Sequence, residues 1–452
     1  MRRLSMRLAL ISLSLLLVLA PVTARAEAVA HVESLEGTVT VAHEGSPEHL
    51  LSKGSLLENG DVVITQQESH ALLIFTDQSK IAVRPDSRLK IENFSYKANQ
   101  PEDDSFALSL LKGGLRQLTG MISRSKPAYQ LKVKTATIGI RGTDFIARLC
   151  DGLGCTADQM QSEQNHDLIK PASGTAGKVA WMQGEVTARA ADSSERKLGQ
   201  GSPVFEGDVL ITGADGSAGF VMQDKTRLVL PKNSRLRLTE FKFVAAKADE
   251  SHEVIDLLKG GLRVMTGLLG KLHGDRVQYH AATATIGIRG TTFDLVCADT
   301  GNLPGLCGAD DATVFVIMRD GEVDFGEGGN SIALEKGKTA SVRLGGTPQI
   351  LPAPPAGLLD PDTPKPEELQ VDFIKLFGLE KTDVADGVYI GVMSGEVSAD
   401  AAGTKISLLR GYAGFIEDGL APVELSDMPG FLDYDPVLAR YDFEQELTCR
   451  RR

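Results

Sequence analysis

The chain has 452 residues, with 48 basic and 60 acidic side chains and a net charge of −12. That balance argues against a nucleic-acid partner, which needs a concentrated basic surface. The length suggests two to three domains. The 47 glycines and few aromatic residues, with Val, Ile and Thr alternating between Gly, Asp and Asn turns, point to an all-β fold.

In chain order, residues 1–26 read as a signal peptide. Arg2, Arg3 and Arg7 form a basic start, Leu8–Ala20 is an apolar run, and Ala24-Arg25-Ala26 is an A-x-A cleavage site. The apolar run is short of the ~20 residues a membrane span needs, and no later segment is apolar enough to span. Cleavage removes four arginines, leaves Glu27 first and takes the net charge to −16. The reading is a periplasmic or secreted protein.

From His31, VESLEGTVTV turns at Gly37 between two short strands, and LLENGDVVIT follows. ALLIF, a polar Thr76–Ser79 turn and KIAV form a hairpin. RLKIENF alternates, with Leu89 and Ile91 on one face and Arg88, Lys90 and Glu92 on the other. LLKGGLR (Leu110–Arg116) and Thr119-Gly120 come next, then TATIGIRGT at Thr135–Thr143. The same order recurs: WMQGEVTARA, VFEGDVLIT, a hairpin around Gln223–Thr226, RLRLTEF, LLKGGLR at Leu257–Arg263, Thr266-Gly267, and an unchanged TATIGIRGT at Thr283–Thr291. Two long phrases in one order at nearly one offset are a duplication.

The predicted organisation is two tandem β-roll or β-sandwich-like repeats, at 27–170 and 171–350. A linker at 351–370 follows, since Leu351–Glu368 holds six prolines. Residues 371–452 form a small appendage with a partial hairpin. Its GVMSGEV and ISLLRGYAGF are related to VFVIMRDGEVDF and IALEKGKTASV of the second repeat.

Five cysteines are present. Cys150 with Cys155 and Cys297 with Cys307 are expected to form local disulfides that pin hairpin tips, Cys449 remaining free. A metal reading lacks a second Cys or His pair near either.

In TATIGIRGT, Ile138 and Ile140 share one face, and Thr137, Gly139 and Arg141 the other. Arg141 and Arg289 carry two readings. Each clamps a carboxylate or carbonyls inside its own repeat, with Asp61 and Asp77 as possible partners, or each faces an anionic ligand. Lys132 and Lys134 precede the first phrase, with Arg124 and Lys126 nearby, whereas His280 and Ala282 take the lysines' places in the second. Arg141, Lys132, Lys134 and Arg289 are therefore the candidate ligand-binding residues. The lysines also fit the solvated side of a strand.

The order EGTVTV, a GD turn, an F-x-D-x-S hairpin, PDSRLKI, LKGGLR and ATIGIRGTDF closely resembles the FecR domain family, over nearly all of 31–150 and 178–297. The resemblance implies a β-rich extracytoplasmic domain. In the regulator that gives the family its name, a membrane span joins such a domain to a cytoplasmic segment controlling a sigma factor, and neither is read in this chain.

Catalysis is not expected. The eight histidines form no H-E-x-x-H and no serine lies in a G-x-S-x-G turn. No metal or cofactor is called for. The leading reading is a periplasmic binding or scaffold protein for an envelope protein or anionic envelope ligand. The alternative is an extracytoplasmic sensor acting through a membrane partner.

Overall fold

The computed structural model describes residues 27–98, 100–122, 129–288, 290–298, 305–309, 312–358, 360–441 and 443, and of Pro101, Arg141 and Ala248 the backbone alone. The leader, Arg124, Lys126, Arg289 and Cys449 lie outside the described residues. Among the described residues, no helix is long and apolar enough to cross a membrane. The protein is all-β, as its turn-rich alternating sequence implies.

Domain 2 is continuous in sequence. Its two nine-stranded sheets run from Thr175–Gln183 to Gln349–Leu351. Their inner faces share one core, with Phe220, Val264 and Phe293 from one sheet against Leu236, Ile255 and Phe325 from the other. The alternating phrases face as expected: Leu89 and Ile91 are fully buried while Arg88 is exposed.

The duplicated phrases are corners, which in domain 2 carry the chain from one nine-stranded sheet to the other and in domain 1 lie within one continuous 16-stranded sheet. In LKGGLR, Ser105–Lys112 ends at Gly113 and Gly114–Leu118 begins in a different row of strands. Gly113 has φ 77°, and a Cβ there would sit 2.1 Å from Ser87 Oγ. That hydroxyl accepts from Gly114 N–H at 2.9 Å. Gly260, Gly261 and Ser234 repeat the arrangement in domain 2. Because the chain turns away at this corner before returning, Ser105–Lys112 pairs in parallel with Tyr129–Val133, as His252–Lys259 does with Val277–Ala281.

Domain 1 is discontinuous. Its strand Ala136–Cys150 pairs along its length with Gly387–Ala401, from the tail, in register from Thr137↔Asp400 to Cys150↔Gly387. In domain 2 the equivalent partners are local: Thr292–Ala298 pairs with Thr313–Asp320, and Ala284–Ile288 with Glu322–Glu327. Thr404–Leu409, Ala413–Ile416 and Val423–Glu424 then complete domain 1. Val388, Ile390, Val397 and Leu408 lie in the same core as Leu89 and Phe106. The tail is therefore not a free-standing appendage but the closing quarter of domain 1. Domain 2 sits inside what would otherwise be the hairpin joining Cys150 to Gly387.

The linker is also packed. Leu358 is buried, and Arg263 donates to the carbonyls of Thr363, Pro364 and Asp360. The reading missed the helix Gly154–Asn165, whose polar, Gln-rich sequence shows no apolar face. Cys150 and Cys155 are at bonding distance, as are Cys297 and Cys307, which fits an oxidising extracytoplasmic compartment. Cys155 lies in the first turn of that helix, so the bond ties a helix start to a strand end rather than pinning a hairpin tip.

The domain 2 core holds an ionisable group at the place of Phe106 in domain 1. Glu253 is fully buried, accepts the Tyr279 hydroxyl and leaves Oε2 without a hydrogen bond. Burial first, then the nearby Asp224, pushes its pKa up to about 8. A raised folded-state pKa means that the folded chain holds a proton which the unfolded chain releases. The contribution is complete below the ordinary carboxylate range and is lost as pH rises through about 8. Between pH 5 and 8 the wild type is expected to lose on the order of 1 kcal/mol per pH unit relative to Glu253→Gln. Paired melts across that window measure it, and a constant difference between the two proteins would refute it.

Candidate functional site

The repeated phrases first have to be assigned a job, because a motif used twice for folding is not thereby a ligand site. Thr119 Oγ donates to the Thr143 carbonyl at 3.1 Å and accepts from Thr143 N–H at 2.8 Å. Thr266 does the same with Thr291, at the same distances. The following glycine then lies against the hairpin aspartate's backbone, where a Cβ would be 2.2 Å from the Asp77 or Asp224 carbonyl. Asp77 accepts from Ser79, and Asp224 from Thr226, through both carboxylate oxygens. T-G, D-x-S/T and R-G-T are thus one knot, tied twice. Burial raises the pKa of both aspartates.

Of the predicted site residues, Lys132 is exposed on the outer face of its strand. It adds to Lys90 and Ser109 in holding Glu92 below the usual carboxylate range, Lys90 being the main cause. Lys134 occupies a hairpin turn at φ 50°, as Ala282 does at 51°. The Arg141 side chain and all of Arg289 lie outside the described residues. Their suggested partners are engaged elsewhere: Asp61 Oδ1 is 2.8 Å from His43 Nδ1, and Asp77 serves the knot.

Among the described residues, each repeat buries the arginine that ends LKGGLR. Arg116 meets Asp144 through two hydrogen bonds, 3.0 Å from Nε and 2.7 Å from Nη2, with both side chains buried. It also donates to the Leu438 and Tyr441 carbonyls and lies over the Phe443 ring. Arg263 stands 3.6 Å from Asp294 and holds the linker. Both arginines thus fasten the segment that follows the closing strands of their own domain. The signal was in the sequence, since LKGGLR is duplicated as faithfully as TATIGIRGT.

The most elaborate polar structure lies in the seam between the domains. Arg84 pairs with Asp435, and both Arg84 and Arg148 reach Asp158 of the helix, at 3.3 and 2.9 Å. Asp433 accepts from Ser173 N–H at 2.8 Å, and its pKa is raised by burial. Lys178 of domain 2 reaches Asp427 at 3.3 Å, its own pKa lowered by burial. Tyr434 donates to Gln223, and Arg410 lies 4.2 Å over the Phe205 ring. Between the domains opens a cleft of about 250 Å³ walled by Arg116, Lys170, Lys242, Lys247 and Arg440, with Glu250 the one acid. Lys242 and Lys247 share Glu250, Arg116 pairs with Asp144 and Arg440 with Glu36, so the wall carries more basic than acidic groups while its cations are already engaged. Among the described residues, no three His, Cys, Asp or Glu side chains gather as a metal site.

The family model described as FecR protein matches residues 61–156 and 208–324, once in each domain. No curated protein matches. Among solved structures, two crystal structures of a candidate anti-sigma factor from Parabacteroides distasonis are similar. They share 14% and 13% identity, with TM-scores of 0.24 and 0.23, over 31% of this chain and 57% of theirs. The chain thus spans little more than half the length of those structures.

Proposed function

We propose, because this chain belongs to the FecR family through a tandem pair of its domains, that it is a non-catalytic regulatory component outside the cytoplasm, sensing a state by binding and passing it to a membrane partner. The observation that carries this reading is the insertion of domain 2 into the closing hairpin of domain 1. A ligand or partner that shifts domain 2 acts on the two paired strand ends it joins, Cys150 and Gly387, so the two domains respond as one two-state element. The cationic seam and the exposed Lys132 and Lys134, with Arg141 and Arg289, are the contacts proposed for an anionic partner surface. The proposed location is the periplasm, with the mature chain starting at Glu27, a reading supported by the leader-like sequence of residues 1–26. A static scaffold has no use for such coupling, which is why sensing is preferred.

The test is in-cell crosslinking from a photoreactive residue at position 132 and from one at Leu420 in the tail. An integral membrane protein captured at position 132, and lost on Lys134→Glu, is the expected result. Capture of cell-wall material or soluble proteins alone would overturn the sensing role in favour of a scaffold.

A further inference from the structure

The two domains differ at one matching place on their outer faces. In domain 1, Gly114 is flanked by the Arg84 and Arg148 side chains, each Cδ about 3 Å from where a Cβ would be. Those arginines carry the Asp158 and Asp435 pairs, so the helix and the tail cover this surface. In domain 2 the register places Pro231 and Val296 at the two positions, flanking Gly261 at 3.5 and 3.7 Å. Short apolar residues have replaced two long cations, and only the proline-rich strap crosses above.

The result is a pocket of about 310 Å³ under the strap, walled by Pro231, Leu262, Val296 and Leu358. That is room for about ten waters at ~30 Å³ each. Arg263 lines it, nine-tenths buried, with its Nε making no hydrogen bond. Asp294, 3.6 Å from that Nε, is already held by Arg319 at 2.8 and 2.6 Å. Lys232 stands at the rim, half exposed, 3.1 Å from Asp360. A partly open, largely apolar space beside a buried guanidinium whose Nε makes no hydrogen bond, with the Asp360 carboxylate in its wall held by Lys232, has the anatomy of a small-ligand site.

We propose that this pocket binds a small apolar carboxylate, its hydrocarbon body against Pro231, Leu262, Val296 and Leu358 and its acid group toward Arg263 and Lys232. The site belongs to domain 2 alone and does not depend on the regulatory role. In domain 1 the chain's own arginine–aspartate pairs fill the equivalent place.

Octanoate, with ten heavy atoms, is the probe, and 1-octanol its uncharged control, titrated calorimetrically into the mature full-length protein. Octanoate is expected to bind one site and to raise the unfolding temperature. Gly261→Leu projects into the pocket without a left-handed backbone to strain, and should abolish binding while the protein stays folded. Should that variant melt early, Val296→Phe fills the same space from the neighbouring strand and should give the same loss. Lys232→Gln should weaken octanoate by about fivefold, the effect of a part-exposed charge, and leave 1-octanol unchanged. Absence of octanoate binding, binding that survives both pocket-filling variants, or equal affinity for 1-octanol would each overturn the proposal.

Discussion

A chain ended after Glu380 is expected to lose the folded state of domain 1 while domain 2 still melts cooperatively. The truncation removes Val388, Ile390, Val392, Val397, Leu408 and Ile416 from the domain 1 core. Burying side chains of this kind stabilises by ~1.5–3 kcal/mol each, so the loss is on the order of 10 kcal/mol. That is comparable with the whole ~5–15 kcal/mol by which a domain is stable. It also strips Ala136–Cys150 of its tail partner along the register, exposing a strand edge prone to aggregation. The converse deletion should be tolerated. Replacing Thr175–Leu376 with a flexible Gly/Ser linker keeps the helix, its disulfide and the tail, and should leave domain 1 folded. Limited proteolysis and calorimetry of both chains test this. A truncated chain that retains two transitions would refute the discontinuous domain.

Arg116→Met should destabilise domain 1 by ~3–5 kcal/mol, the cost of removing one partner from a buried ion pair. Asp144, whose side chain is buried, then loses the charge and both hydrogen bonds of Arg116. For a domain of this size ~1 kcal/mol corresponds to about 2–4 °C, so the transition should fall by roughly 6–20 °C. The cause is the stranded carboxylate, so Arg116→Met with Asp144→Leu should recover much of the loss. The recovery remains incomplete, because the Leu438 and Tyr441 carbonyls also lose their donor. Arg263→Met should cost less, since Asp294 keeps Arg319. Equal losses for the single and double variants would show that Asp144 is not the partner that matters.

The sequence by itself determined the repeat, the all-β class and the alternation of faces, because each is local. The period-two pattern of Leu89, Ile91, Leu131 and Val133 needs only a few residues to be read, and an unchanged TATIGIRGT needs only comparison with itself. It also held the relation between GVMSGEV and VFVIMRDGEV. What it could not say is which strand Gly387–Ala401 would join. The ladder hydrogen bonds are made by backbone groups common to every residue, and Cys150 and Gly387 are too far apart in the chain for a local signal to connect them. The tertiary structure decided that, and with it the identity of the buried arginines. Arg116 and Arg141 are equally repeated and equally charged in the sequence. Arg116 meets Asp144 on the neighbouring strand of its own repeat, and it is covered because the tail returns over it, bringing the Leu438 and Tyr441 carbonyls to its remaining donors. The pocket under the strap follows the same logic. Pro231 and Val296 in place of Arg84 and Arg148 are two unremarked differences between repeats until the fold sets them on either side of one glycine.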